Sequence, residues 1–375
     1  MKKKVPILVY ILFLLSCSPR TQNNIICKID GLKNDSALIA FVQQSEREKE
    51  IVDTIIFKNG YASYNFSVSE LYEAFIIPFD LIYKFENGKS YPLPASRINF
   101  YIDSLSNVKI NGKIEDNCVI YEVIGNQLSE QLVIARNMKI PLYKERVLFE
   151  SEYNLIGKNK IDEEEYWKLR KENNNKYQQQ SINFIKKHPE SEYTPRLLLE
   201  IQDKELVVEL FNTLTKNSKE SYFGSIIGEM IDGWMSTTPG LQFPNIVDKN
   251  LNGKTFQLSD LRGKYVILDF WGSWCSPCLS EIDKLKSLYE NNKDKIEIVG
   301  IACNDDINRL KETISSNKIN WEQLFEGQTD EKKYSVRFGI RNYPTKILLD
   351  TEGKIYKVYT GVDENLYDDI NNLKN

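Results

Sequence analysis

The sequence predicts a multi-domain chain: an N-terminal all-β region of sandwich or barrel type, a helical middle region and a C-terminal α/β module. Three observations carry this. Short alternating apolar runs broken by hairpin signals fill residues 25–125. Residues 126–235 are rich in helix formers and poor in glycine and proline. From 236 to 375, strand-like and helix-like segments alternate, the order of an α/β fold. A length of 375 residues suffices for two or three domains, each with its own core. A hydrophobic content of 41% with 27% charged residues is that of a globular protein and excludes wholesale disorder. The formal charge of −4 argues against a nucleic-acid partner. The single histidine, His188, rules out a multi-His metal site and leaves one ring for any Ser-His-Asp or Cys-His pair.

The first segment reads as an address. Lys2, Lys3 and Lys4 precede an apolar run from Val5 to Leu15, then Ser16 and Cys17. That is the layout of a secretory signal over residues 1–16, and the run is too short to span a bilayer. Leu14-Leu15-Ser16-Cys17 resembles a bacterial lipobox, which implies a lipidated Cys17, a short linker over 17–24 and a periplasm-facing anchor, on the outer rather than the inner membrane. Such a compartment is oxidising, so the six cysteines need an explanation.

In the β-region, Ile25–Ile29, Ala37–Val42, Ile51–Phe57, Tyr61–Val68, Ala74–Ile77, Ile98–Ile102 and Val108–Ile110 are expected strands. Lys58-Asn59-Gly60, Glu86-Asn87-Gly88 and Asn111-Gly112-Lys113 are expected turns. Cys27 and Cys118 both fall here, and a disulfide between them is open. In the helical region, Leu128, Leu132 and Ile134 begin one apolar stripe, and a second helix starts with acids near Ile161. His188-Pro189 ends it, with His188 a solvated or capping residue, and Pro195 opens the next.

The C-terminal module carries the chemistry. Tyr265–Trp271 is a continuous buried strand, followed by Gly272-Ser273-Trp274-Cys275-Ser276-Pro277-Cys278 and a helix with Ile282, Leu285, Leu288 and Tyr289 at helical spacing. Ile296–Ala302, Lys346–Leu349 and Ile355–Tyr359 are the remaining strands. A two-residue spacer sets both sulfurs in the first turn of a helix, within reach of a reducible disulfide. Cys275 then faces the free N–H groups and the positive dipole end, which favours its thiolate and makes it the exposed nucleophile; Cys278 is the shielded resolving thiol. Zinc competes for any CxxC, but a closed site needs four ligands and there is no second pair. Neither metal nor cofactor is implied. Cys303, ending an apolar strand, reads as a small buried hydrophobe.

Asp269-Phe270-Trp271, the Trp274–Cys278 motif and Tyr343-Pro344-Thr345 together resemble the thioredoxin superfamily. Leu258–Lys264 and Glu281 narrow the resemblance to the TlpA/ResA-like membrane-tethered thiol–disulfide oxidoreductases, over about 140 residues. It implies a thioredoxin-like fold, protein-disulfide reduction, envelope proteins with disulfides as substrates and a membrane electron-transfer protein as reductant. Asp269 matches the buried acid beneath the disulfide and Glu281 the acid on the active-site helix; either could relay the proton that Cys278 must lose. Pro344 matches the cis-proline, and Trp274, Tyr343, Pro344 and Thr345 the substrate-binding positions. The β-region looks like the β-domain that precedes such modules in envelope lipoproteins. Two other readings stand beside this one: a peroxiredoxin-like enzyme, although Gly272 occupies the place of the expected threonine, and a binding or scaffold lipoprotein with an accessory redox module.

Overall fold

The computed structural model describes residues 23–43, 50–84, 88, 90–93, 95–154, 160–326 and 334–373. The signal segment, Cys17 and the Glu86-Asn87 pair of one expected turn lie outside the described residues.

Among the described residues, ten strands form the N-terminal region: β1 (Asn23–Asp30), β2 (Ser36–Gln43), β3 (Glu50–Ile56), β4 (Tyr61–Phe66), β5 (Tyr72–Pro78), β6 (Ile82–Lys84), β7 (Ser90–Pro92), β8 (Ile98–Ile102), β9 (Val108–Glu115) and β10 (Cys118–Ile124). Two four-stranded sheets result, in the orders β10-β9-β1-β4 and β3-β2-β5-β8, with β6 and β7 as a separate hairpin. All pairings are antiparallel except β1 with β9. Alternation decides what lies between the sheets. Ile25, Cys27 and Ile29 of β1 face Ile39 and Phe41 of β2, Ala74 and Ile76 of β5 and Ile98, Phe100 and Ile102 of β8 in one apolar core.

One expected turn needs correction, and two further readings are refined. Asn111-Gly112-Lys113 is no turn: it runs through the middle of β9, paired on one side with β10 and on the other with β1. The hairpin closes instead at Asp116-Asn117, both with positive φ (49° and 60°), as a type I′ turn demands. A local Asn-Gly signal yields when both neighbouring strands pair through it. Cys27 and Cys118 are free. Strand β9 separates them in the sheet, and two strand spacings come to about 9–10 Å, beyond the roughly 7 Å a disulfide tolerates. Lys58-Asn59-Gly60 does turn, but the strands it joins enter different sheets.

The middle region contains α1 (Gln127–Asn137), α2 (Ile140–Asn154), α3 (Glu163–Lys187), α4 (Thr194–Leu198), α5 (Lys204–Thr213), α6 (Lys216–Glu220) and α7 (Tyr222–Ser236). Side chains cap the starts of five of them: Asn126, Asp162, Asp203, Thr215 and Ser221 each accept a backbone N–H from the first turn. Each such cap stabilises by about 1 kcal/mol. Helix α3 ends at His188, whose ring lies 4.5 Å from that of Phe184. Ile134 leaves the stripe assigned to it: it is 53% exposed, while Leu132 and Val133 pack on the sandwich core. Six residues past Leu128 a helix has turned well off the starting face. Arg136 anchors α1 to the sandwich by donating to the carbonyls of Ala95 and Val119.

The C-terminal module comprises β11 (Val247–Lys249), β12 (Thr255–Gln257), β13 (Tyr265–Trp271), α8 (Ser276–Asn292), β14 (Ile296–Ala302), α9 (Ile307–Ser316), β15 (Glu322–Phe325), α10 (Tyr334–Arg337), β16 (Thr345–Leu349), β17 (Ile355–Thr360) and α11 (Asn365–Asn371). Its five-stranded sheet has the order β15-β14-β13-β16-β17, parallel from β15 to β13 and antiparallel from β13 to β17. Ile267 and Trp271 of β13 face Ile282 and Leu285 of α8 and Leu366 and Ile370 of α11. Val266, Leu268 and Phe270 face the opposite core with Phe243 and Phe338. Period two therefore sets Asp269 on the α8 side.

The helical region grips this module at one loop. Trp234 Nε1 donates to the carbonyl of Gly339 at 2.5 Å, and Arg341 donates to the carbonyls of Leu199 and Ile201 at 2.5 and 2.8 Å. A β-carbon on Gly233 would lie 2.5 Å from the Gly339 backbone nitrogen, so close approach requires glycine there. Among the described residues no helix is long and apolar enough to cross a membrane.

Candidate active site

Strand β13 delivers the chain to the rim of the sheet, and the motif turns it into α8. Cys275 is the N-cap of α8, and its Sγ accepts from the backbone N–H of Cys278 at 3.3 Å. Cys275 and Cys278 form a disulfide with their Cα atoms 5.3 Å apart. The expected difference in exposure is not present in this oxidised form, where each is 4% exposed. What separates them is position: Cys275 sits where the unsatisfied N–H groups converge, and Cys278 lies one turn in.

The preceding loop is fixed from below. Ser273 donates from its backbone N–H and its hydroxyl to buried Asp305, at 2.5 and 2.6 Å, and Arg309 donates to the Ser273 carbonyl at 3.1 Å. Trp274 Nε1 donates to the carbonyl of Cys303 at 3.0 Å, which holds its ring 5.3 Å from that of Tyr343 in an edge-on contact. A β-carbon at Gly272 would collide with this indole at 2.4 Å.

The Tyr343-Pro344 bond is cis. Trp274 is 41% exposed and Tyr343 partly so, whereas Pro344 and Thr345 are buried and the Thr345 hydroxyl donates to the Asn342 carbonyl at 2.7 Å. Of the four residues expected to meet a substrate, Trp274 and Tyr343 thus present side-chain surface.

Both expected acids are buried on the face beneath the disulfide, and a third charge that the sequence reading missed joins them. Lys346, 1% exposed, pairs directly opposite Asp269 in the β13–β16 ladder. Its Nζ donates to Glu281 Oε2 at 2.6 Å and lies 3.7 Å from Asp269 Oδ1. Tyr367, from α11, donates its hydroxyl to Glu281 Oε1 at 2.7 Å. Glu281 follows Cys278 by one helical turn and so shares its face of α8. Burial pushes the Asp269 carboxyl above the usual range; the Lys346 ammonium opposes this and the Glu281 charge adds to it. A signal was available for Lys346. A lysine in the apolar run Thr345–Leu349, in step with Leu348, has to find an anion inside. Asp305 and Tyr367 left no comparable trace.

The site thus sets a bonded cysteine pair at a helix N-terminus, in a module that also buries an acid–lysine cluster. A family model described as the AhpC/TSA family matches residues 239–358. Thiol-disulfide oxidoreductase ResA of Bacillus subtilis is 32% identical over 151 residues, covering 40% of this chain and 83% of the relative. Thioredoxin-like protein YneN of the same organism is 28% identical over 122 residues, covering 32% of this chain and 71% of that protein. The solved thioredoxin domain of a thiol-disulfide oxidoreductase from Bacteroides vulgatus is 31% identical, covering 36% of this chain and 96% of its own, with a TM-score of 0.33. With most of a ResA protein matched at 32% identity, the chain is a thioredoxin-like oxidoreductase and belongs to the ResA-like thiol-disulfide oxidoreductases.

Proposed function

We propose that the chain is a lipid-anchored, periplasm-facing reductase of protein disulfides acting through Cys275-Ser276-Pro277-Cys278. One observation carries the reading: the bonded cysteine pair sits at the N-terminus of α8 above a buried acid–lysine cluster. The reduced chain attacks a substrate disulfide with the Cys275 thiolate, forming a mixed disulfide and releasing one substrate thiolate. Cys278 then gives up its proton to a buried carboxylate and attacks Cys275 Sγ. This closes the Cys275–Cys278 bond, frees the second substrate thiolate and transfers two electrons in all. Trp274 and Tyr343 flank the site and are the contacts for the substrate polypeptide, with Pro344 and Thr345 shaping the loop behind them.

The direction follows from the motif. Ser276-Pro277 places no histidine between the cysteines to over-stabilise the thiolate, so the potential should lie nearer the thioredoxin value of about −270 mV than the oxidant value of about −120 mV. In an oxidising compartment a membrane electron-transfer protein must renew the dithiol, and disulfide-bearing envelope proteins are its substrates. The anchor rests on Cys17, and Cys17→Ser should release the protein from membranes.

Insulin-disulfide reduction by the dithiol-recycled chain tests the activity, and redox titration against glutathione tests the direction. A potential more positive than about −180 mV would sink the reductant reading. Peroxide consumption faster than insulin reduction would favour the peroxiredoxin-like alternative.

A further inference from the structure

Two buried acids under one disulfide pose a question of labour, because only one is needed to take the proton from Cys278. Their surroundings differ. Both oxygens of Glu281 are hydrogen-bonded, one to the Lys346 ammonium at 2.6 Å and the other to the Tyr367 hydroxyl at 2.7 Å. Asp269 Oδ1 is buried and has no hydrogen-bond partner; Lys346 Nζ at 3.7 Å is within Coulombic reach but not bonding reach. Lys346 is held between them by the ladder, since Asp269 and Lys346 are direct cross-strand partners. The group is almost sealed from solvent, with Asp269 its least covered member: Lys346 is 1%, Glu281 3% and Asp269 5% exposed.

We propose that Lys346 is a positioning residue for disulfide exchange: its ammonium is spent as the counter-ion of Glu281, which leaves Asp269 as the acid that trades protons with Cys278. This rests on the oxidoreductase reading above and deepens it. Without the lysine, two carboxyls would face each other in a dry pocket and share one proton, as like charges at short range must. With it, the Glu281 charge is cancelled locally, and Asp269, which alternation sets on the face of β13 that packs in one core with Cys278, is left to respond to the state of the thiol. In the resolving step the Cys278 S–H proton passes to the Asp269 carboxylate, the Cys278–Cys275 bond forms, and the substrate thiolate departs. The Asp269 proton then leaves to solvent before the next oxidation. Tyr367 fixes the Glu281 rotamer from α11.

Other titratable groups face the cluster. Lys284 of α8 lies 4.1 Å above the Tyr367 ring and pairs with Glu364 near α11. Cys303, at the end of β14, is buried and close enough for the Asp269 charge to act on it. Lys284 and Glu364 are exposed and screened, and Cys303 stays a neutral thiol because burial pushes it well up.

The test reads the resolving step alone. Reduced full-length chain, mixed with 5,5′-dithiobis(2-nitrobenzoate), releases one chromophore on attack by Cys275 and a second on resolution by Cys278. The second phase is followed against pH. In the wild type it should slow on the acid side as Asp269 becomes protonated. In Lys346→Met that acid limb should move up by about one pH unit, a roughly tenfold slower resolution at a fixed pH below it, with the first phase unchanged. Lys346→Met/Glu281→Gln should bring the limb back toward the wild type, because the uncancelled charge is gone. Lys346→Arg should keep the wild-type profile. A limb unmoved in Lys346→Met, or one that the double variant does not restore, overturns the proposal. If Lys346→Met does not fold, the wild type still decides: with 13C-labelled aspartate side chains, one carboxyl should titrate above the usual range at the pH of the acid limb, and its absence overturns the proposal equally. Failure to reduce insulin would sink the enzymatic reading separately, since the chromogenic reaction reports the dithiol itself.

Discussion

Cys27 in the N-terminal sandwich and Cys275 in the C-terminal module are both buried, one fully and the other to 4% exposure. Cys27 stands mid-strand on β1 among aliphatic side chains, and burial pushes its thiol up to about 12. Cys275 caps a helix, its sulfur accepting the backbone N–H of Cys278, in a module that also buries a cluster of charge. Burial alone makes a thiol inert; burial at a helix N-terminus makes it usable. The same contrast runs through the two cores. The space between the sandwich sheets is apolar, whereas the α8 face of the module's sheet admits Asp269, Glu281 and Lys346 together. One region fills its interior with apolar side chains, and the other buries ionisable ones within it.

The contrast breaks most sharply by substitution. Cys275→Ala should cut disulfide reduction by more than about a thousandfold, since no other group replaces the nucleophile. Cys27→Ala should leave turnover as it is and lower stability by about 1 kcal/mol. Comparable activity losses from both would erase the distinction.

Alkylation sharpens it without mutation. In the reduced chain at neutral pH, Cys275 should react with iodoacetamide first. Cys27, Cys118 and Cys303 should react only on opening, about a thousandfold or more slowly, because all three are buried thiols raised by burial. Mass-spectrometric labelling order checks this, and early modification of Cys118 would show that the sandwich opens on its own.

A smaller effect is expected at the junction between the helical region and the module. Arg341→Ala removes two charge-assisted bonds to the Leu199 and Ile201 carbonyls, two residues before the Tyr343-Pro344 pair. Stability should fall by about 2–3 kcal/mol, with KM for a polypeptide substrate rising more than kcat falls. Unchanged stability in a denaturant titration would mean that the module stands independently of the helices.

The smallest effect concerns Asp269, whose folded-state pKa lies above its unfolded one. The folded chain then holds the proton over a range where the unfolded chain has lost it. Stability is full below the ordinary aspartate range, falls as pH rises through the window up to the raised value, and stays lower above it. Asp269→Asn should therefore gain stability at pH 7 over the wild type and lose that gain in acid. Denaturant midpoints at both pH values measure it, and a variant less stable at pH 7 would mean that the ion pair with Lys346 outweighs burial.

The chemistry was legible in the sequence because it is local. A strand, a two-residue spacer and a helix place Cys275 and Cys278, and their spacing is set by one helical turn. Helix ends were legible for the same reason: Asp162 and His188-Pro189 act on their own backbone. The sandwich was legible from alternation, but its β9–β10 hairpin was not, because Asn111-Gly112 looks like a turn until strands pair on both sides. What the tertiary structure alone decided is register. It separates Cys27 from Cys118 by a whole strand, and it brings Lys346 opposite Asp269 from 77 residues away. No local pattern carries that pairing, since a one-residue slip would turn Lys346 to the opposite face, and only the closed ladder between β13 and β16 selects the register that puts its charge beneath the disulfide.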